Sequence, residues 1–239
     1  MSPRADCMVV SMARLIPDGA TVASGLMSWL PMLAILLARG THAPRMTYIN
    51  CVGCINPDPP EMPASSVDVG LLESGQTFVE LASFWDYAAR GSIDLMFFGA
   101  AQVDAQGATN TGWMGNGNGG VKLPGIAGAR ALRRMVRQPV IFVPRHTPAS
   151  FTRQADQATT VATGSTLVVS SRGVFRISGG RLEIVWLHPG TSFEEVVHQT
   201  GFPVEQVGEI KTTAGPTAAE LAVLARLDPG QLRYRLVES

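Results

Sequence analysis

Two cysteines, Cys51 and Cys54, are three positions apart in the segment Cys-Val-Gly-Cys, and thiols can serve as nucleophiles, acids, redox groups or metal ligands. A redox dithiol is normally followed by a helix, whereas here the chain enters the proline-dense segment 56–60, which cannot form one. A zinc site would need two more ligands, and the four histidines, at positions 42, 146, 188 and 198, show no paired spacing. On spacing alone, two ordinary buried cysteines are the favoured interpretation.

A second chemically unusual region follows the apolar run 93–101, which we interpret as a buried strand. The segment at its end is Gly99-Ala100-Ala101 and continues into Gln102-Val103-Asp104. Glycines are then frequent up to Gly128. Glycine backbones can approach a ligand closely, but the stretch contains neither GxGxxG before a helix nor GxxxxGK[ST]. It is either a ligand-binding loop or simply a flexible one.

These segments require a frame of strands and helices, and the pattern predicts an α/β fold with a largely parallel sheet and a late antiparallel hairpin. Ligands of such sheets bind beyond the carboxyl ends of the strands, here after residues 24, 50 and 99. We predict helices over 1–17, 31–39, 77–90 and 129–137, one opened by Ser192 as cap with Glu195 at its third position, and one over 216–227. In the helix over 77–90 we expect one side to carry the apolar residues Phe78, Leu81, Phe84, Trp85 and Ala88. We predict strands over 21–24, 46–50, 93–101, 140–143 and 166–169, and the hairpin over 172–185.

The composition narrows the functional class of the 239-residue chain, which we expect to form one domain over 1–239. Nineteen basic and nineteen acidic residues give zero formal net charge, which argues against nucleic-acid binding and is compatible with a buried subunit interface. Three cysteines do not form a disulfide framework, so a reducing cytoplasm is expected. The charge-free run 19–38 is long enough to span a membrane. Within it, however, the residues predict a strand, a glycine turn and a helix in succession, so we predict no membrane segment.

The order of motifs along the chain resembles the small (β) subunit of glutaconate CoA-transferase and its relatives. The most specific match is Phe97-Phe98-Gly99-Ala100-Ala101-Gln102-Val103-Asp104 followed by Gly107-Ala108-Thr109-Asn110, with a glycine-rich loop at 123–129. Further matches lie before the second strand, on the hairpin and near the carboxyl terminus: Ala43-Pro44, Gly173-Val174-Phe175, Leu187-His188-Pro189-Gly190, Thr200-Gly201-Phe202 and Leu227-Asp228-Pro229. The resemblance implies the CoA-transferase type of open sheet flanked by helices.

The transferases of this family carry a catalytic glutamate in a Glu-Ser-Gly motif at the end of the second strand, where this chain has Cys51-Val52-Gly53. A second Glu-Ser-Gly occurs at Glu73-Ser74-Gly75, but it lies beyond the proline-rich loop, so Cys51 is the matching residue. A thiol cannot form the acyl anhydride that CoA transfer requires, whereas it can act as an acid or base. The change of Glu to Cys resembles a branch that includes the small subunit of 3-methylglutaconyl-CoA decarboxylase.

The resemblance implies a specific mechanism, in which loss of CO₂ leaves a dienolate and the Cys51 thiol donates a proton to carbon. Backbone N–H groups would stabilise the oxyanion. The implied substrate and oxyanion residues are Gly53, Gly99, Ala100, Gln102, Gly125 and Gly128. We expect no metal and no cofactor, since coenzyme A enters as part of the substrate. The expected partner is a larger α subunit in an αβ or α₂β₂ assembly. A CoA-transferase acting on a dicarboxylic acyl-CoA and a ring-opening hydrolase like that of steroid degradation remain alternatives.

Overall fold

The computed structural model describes residues 3–115, 119–162 and 164–237, in which helices and strands alternate. The helices are α1 (Pro3–Arg14), α2 (Trp29–Arg39), α3 (Leu81–Ala89), α4 (Ala129–Met135), α5 (Phe193–His198), α6 (Ala218–Leu227) and α7 (Leu232–Leu236), with a 3₁₀ turn over Val69–Leu72. The first strands are β1 (Thr21–Ser24), β2 (Thr47–Ile49), β3 (Cys54–Ile55), β4 (Thr77–Phe78), β5 (Leu95–Gly99), β6 (Gln102–Asp104) and β7 (Thr109–Asn110). They are followed by β8 (Trp113–Met114), β9 (Val121–Lys122), β10 (Gln138–Val143), β11 (Phe151–Thr152), β12 (Thr166–Ser170), β13 (Gly173–Ser178), β14 (Arg181–Leu187) and β15 (Val204–Glu205).

A ten-stranded sheet, in the order β15-β14-β13-β12-β10-β5-β1-β2-β3-β4, forms the frame of the molecule. Its centre, β12-β10-β5-β1-β2, is parallel throughout, and the pairs β12·β13, β13·β14, β2·β3 and β3·β4 are antiparallel. The α/β fold class is therefore confirmed, and so is the late hairpin, which consists of β13 and β14.

The central strands are buried on both faces, which explains why their sequences are continuous apolar runs. Along β5, Leu95 and Phe97 belong to one core with α1 and α2, whereas Met96 and Phe98 belong to a second core with residues of α3 and α4. The alternation follows from the two-residue period of a strand. The carboxyl edge of the sheet is thus held between two packed layers.

The charge-free run 19–38 folds into β1, a short loop and α2, as its texture predicts. Helix α2 begins at Trp29, two residues before Pro31, and residues 29–38 are all buried. Burial on every side accounts for the absence of charge. Among the described residues, no helix combines the length and the apolarity needed to cross a bilayer.

The predicted helix over 77–90 is wrong at its beginning. Thr77 and Phe78 form β4, and α3 starts only at Leu81. The Cys54–Phe78 pairing and the hydrogen bond from the Val79 N–H to the Gly53 carbonyl (2.7 Å) keep this segment extended. Phe78 therefore lies outside the helix, and Phe78 and Leu81 are 58% and 68% exposed, whereas Phe84 and Ala88 are buried.

The glycine-rich region is more ordered than a flexible loop where the structure describes it. It contains β7 and the β8–β9 hairpin, and Gly107 adopts a φ of +74° in the turn between β6 and β7. The predicted cap at Ser192 is confirmed, since its hydroxyl accepts the Glu195 N–H. Helix α6 begins at Ala218, two residues after the predicted start at Pro216, because Thr217 and Glu220 form a reciprocal capping box there.

Candidate functional site

Three strand ends meet at one edge of the sheet, because β2, β1 and β5 are adjacent and parallel. Ala23 pairs with Ile49, and Ser24 pairs with Phe97. The chain therefore leaves the sheet at Gly25, Asn50 and Ala100 on the same side, where α/β folds bind ligands. The strand order therefore brings the three predicted strand ends together.

Cys51 lies in a tight turn that connects β2 to β3. The Asn50 N–H donates to the Cys54 carbonyl (2.8 Å), and the Gly53 N–H donates to the Asn50 carbonyl (2.9 Å). Gly53 has a φ of +90°, and a Cβ there would lie 2.5 Å from the Phe78 ring. The turn thus requires glycine both for its backbone conformation and for the aromatic ring packed on it.

The Cys51 thiol is partly buried, which disfavours its ionised form. Burial raises its pKa from an ordinary value near 9 to about 11, opposed in part by a backbone hydrogen bond. Near neutral pH the group is a neutral thiol carrying a proton. Such a group is suited to donating a proton and poorly suited to attacking as a thiolate.

A buried polar network lies directly beneath this turn. The Asn50 side chain accepts the Val52 N–H (3.0 Å) and donates to the Tyr48 hydroxyl (2.9 Å) and to the Ser66 carbonyl (3.1 Å). The Tyr48 hydroxyl lies 2.6 Å from the Ser24 hydroxyl, and its burial raises the pKa of Tyr48. The network links the ends of β1 and β2 to the segment before the 3₁₀ turn.

These network side chains were given no role from the sequence. A signal was present: Ser24 and Asn50 are polar residues at the ends of apolar strands, where a buried position demands hydrogen-bond partners. The partner Ser66 lies sixteen residues from Asn50, and no sequence pattern connects the two.

Cys54 has a different environment from Cys51. It is fully buried, its thiol donates to the Leu71 carbonyl (3.1 Å), and a Cβ on Gly75 would lie 2.1 Å from its sulfur. The pKa of this thiol is also raised by burial. Glu73, in the second Glu-Ser-Gly, is exposed at the end of the 3₁₀ turn and not at the end of β2.

Several of the predicted oxyanion donors already have acceptors within the chain. The Gly53 N–H donates to Asn50, the Ala100 N–H to the Phe142 carbonyl (3.2 Å), and the Gly125 N–H to the Thr111 carbonyl (2.7 Å). Gly99 lies against the Phe142 ring, 3.0 Å from where its Cβ would be. To bind an oxyanion, each of these N–H groups would have to release its present acceptor. Their oxyanion role stays a prediction.

The Gln102 side chain is engaged in the same way. Its carbonyl oxygen accepts from the Asn110 amide (2.8 Å) and the Asp156 N–H (3.1 Å), and its amide donates to the Ala149 carbonyl (3.3 Å). In this structure it joins the small sheet that contains β6 to its surroundings and is buried.

Gly128 is the residue before α4, and the Trp85 ring packs against it. A Cβ at this position would lie 2.6 Å from the Trp85 indole of α3.

Among residues 3–115, 119–162 and 164–237, no three His, Cys, Asp or Glu side chains cluster closely enough to hold a metal ion.

Comparison with known families agrees with this arrangement of strands and turns. The family model described as coenzyme A transferase matches residues 7–207, most of the chain. The chain belongs to the coenzyme A transferase family. Within it, one subunit of the 3-oxoadipate CoA-transferase of Pseudomonas knackmussii is 30% identical, over 93% of this chain and 92% of that protein. The corresponding subunit of the glutaconate CoA-transferase of Acidaminococcus fermentans is 23% identical, over 95% and 92%, respectively.

A solved structure adds a family member with a different activity. The decarboxylase AibA/AibB superimposes with a TM-score of 0.93 at 36% sequence identity, covering 99% of both chains. Further structures of that decarboxylase carry a single cysteine replaced by Asn, Ala, Ser or Val. The resemblance inferred from the motifs is thereby confirmed at the level of the family, which includes both transferases and a decarboxylase.

Proposed function

We propose that this chain is the small subunit of a heteromeric decarboxylase acting on an acyl-CoA of the (3-methyl)glutaconyl-CoA type, with Cys51 as the proton donor. The observation that carries the proposal is the partly buried Cys51 thiol in the turn after β2, at the ligand edge of the sheet. The similarity to a decarboxylase at 36% identity supports it.

The chemistry needs one proton at carbon and stabilisation of one oxyanion. The bond between the distal carboxylate and its neighbouring carbon breaks, CO₂ leaves, and the electron pair delocalises as a dienolate onto the thioester oxygen. The Cys51 S–H bond then breaks as a new C–H bond forms, and the resulting thiolate regains a proton from water. Hydrogen-bond donors near the thioester oxygen would lower the barrier to the first step.

A CoA-transferase is the second candidate, because the 3-oxoadipate CoA-transferase subunit shares 30% identity with this chain. That reaction requires a nucleophilic carboxylate that forms an anhydride with the acyl group. The turn after β2 offers a thiol instead, and the exposed Glu73 lies elsewhere. The residue at the strand end therefore favours decarboxylation.

The proposal includes a second, larger subunit. The two transferase relatives are each one subunit of an enzyme, and the decarboxylase is a pair, AibA/AibB. In this chain Phe78 packs over the Cys51 turn while remaining 58% exposed, so a partner seated there would also enclose the thiol.

The products distinguish the two activities. The complex of this chain with its larger subunit is incubated with glutaconyl-CoA or 3-methylglutaconyl-CoA in the presence of acetate, and the CoA esters are analysed by mass spectrometry. We expect CO₂ and an acyl-CoA shorter by one carbon. Acetyl-CoA with release of the free dicarboxylic acid would instead establish a transferase.

A further inference from the structure

We propose that Asn50 is a positioning residue for Cys51. The Asn50 side chain fixes the direction of the Cys51 thiol and limits the contact of the thiol with water. This inference rests on the proposed function, because it assigns Asn50 a role in the reaction that Cys51 performs. Asn50 itself is 1% exposed, and its side-chain amide is occupied by bonds within the chain.

The first argument is the number of bonds by which one residue holds the turn. The Asn50 backbone bonds both to Cys54 and to Gly53, and its side-chain oxygen accepts the Val52 N–H at 3.0 Å. Cys51 lies between these anchored positions. Its backbone therefore has little freedom as long as the Asn50 side chain stays in place.

The second argument is the orientation of the amide group. The atom facing the Val52 N–H must be an acceptor, and the atom facing the Ser66 carbonyl must be a donor. The same nitrogen also donates to the Tyr48 hydroxyl (2.9 Å). The site thus uses one acceptor and two donors, a set that asparagine provides and aspartate does not.

The third argument is that the other end of the network is equally anchored. Ser66 accepts the Ser28 N–H on its side chain (3.1 Å), just before α2, and Tyr48 lies 2.6 Å from Ser24 at the end of β1. Asn50 thereby ties the Cys51 turn to the end of β1 and to the start of α2. A thiol held in this way keeps its partial burial, which disfavours the thiolate.

The test uses the complex with the larger subunit and two variants of Asn50 that differ in charge. The rate of Cys51 modification by iodoacetamide is followed from pH 7 to 11 by mass spectrometry of the Cys51 peptide, and kcat and KM are measured in parallel. In Asn50→Ala, a loosened and better hydrated thiol should ionise more readily, and its modification at pH 8 should be about tenfold faster. Asn50→Asp also loses both donated bonds, but the adjacent carboxylate should oppose the thiolate, so modification should be slower than in Asn50→Ala. Both variants should lose kcat at least about tenfold with KM within about twofold.

The control for general destabilisation is Thr217→Ala, which removes the cap of α6 without touching the sheet edge. We expect it to leave the Cys51 modification profile and kcat unchanged.

If Asn50→Ala does not assemble, Asn50→Asp and Tyr48→Phe are used, because each nearly preserves the side-chain shape while removing the bond that Asn50 donates to Tyr48. Modification profiles for both Asn50 variants that superimpose on that of the unmodified chain, or an unchanged kcat in both, would overturn the positioning role. Full decarboxylation by Cys51→Ala would instead refute the proton-donor role that the proposed function gives to Cys51 and leave the modification profiles as a separate result.

Discussion

Cys51 and Cys54 are three residues apart, yet the fold separates them into a half-buried thiol at the ligand edge and a fully buried one packed under the 3₁₀ turn. Spacing alone could not separate them. The family resemblance singled out Cys51, and the strand order agrees with its position at the end of β2.

Replacing Cys54 should affect stability and not catalysis. Cys54→Ala removes a buried sulfur and its bond to Leu71, and we expect the free energy of unfolding to fall by about 1–2 kcal/mol. Decarboxylation by the assembled complex should stay within about twofold. Urea denaturation and a CO₂-release assay measure the two quantities, and a hundredfold loss of activity would show that Cys54 takes part in the reaction.

At the scale of elements, the sequence predicted those whose pattern is local. The strand over 21–24, the helix ending at Arg39 and the β13–β14 hairpin follow from apolar runs, turn residues and caps within a few positions. The start of α3 could not be found in this way, because β4 exists only through its pairing with the distant β3, in which Phe78 lies opposite Cys54. The network around Asn50 was missed for the same reason, since Ser66 reaches it only in the folded chain.

The contact between α3 and α4 gives Gly128 a testable packing role. Gly128→Val should clash with the Trp85 indole and lower the free energy of unfolding by about 1–3 kcal/mol, with a loss of kcat. In a Trp85→Ala background the same substitution should cost distinctly less stability, because the clashing ring is absent. Thermal unfolding and kcat of the four proteins complete the cycle. A loss of kcat that persists unchanged without Trp85 would return Gly128 to the substrate loop predicted from the sequence.

The whole molecule should lose stability in mild acid. His188 is buried between the Ser170 carbonyl (3.1 Å) and Thr213 (3.2 Å), and burial lowers its pKa from 6.5 to about 4. His146 is buried as well, and its pKa is lowered in the same direction by burial and by the nearby Arg172. Since a depressed pKa favours the neutral form in the folded state, its stabilising contribution is complete above pH 6.5 and is lost as pH falls through 4.

The expected size of this effect is about 3 kcal/mol for His188 between pH 7 and pH 4. His188→Gln should flatten the dependence of the unfolding free energy on pH, even though it lowers stability at pH 7. His198→Gln, at an exposed position in the last turn of α5, serves as the matched control and should leave the slope intact. Equal slopes in the unmodified chain and His188→Gln would contradict the assignment.

The chain alone should not behave as a well-separated monomer. It has zero formal net charge and a terminal strand, β4, at one margin of its sheet, with Phe78, Leu81 and Met27 at 58%, 68% and 74% exposure. We expect self-association or low solubility by light scattering, and a defined heteromer after coexpression with the larger subunit. A monodisperse monomer with full activity would contradict the proposed assembly.

Delivery of a proton by the Cys51 thiol after CO₂ is lost is the step on which the proposed function depends, and the decarboxylation rate of the Cys51→Ala complex measures it. With the complex assembled and saturated with a glutaconyl-type CoA ester, we expect kcat to fall about 10²–10⁴-fold relative to the unmodified complex, the usual contribution of a positioned acid. Undiminished CO₂ release by Cys51→Ala would show that the proton comes from another group and that Cys51 is a packing residue.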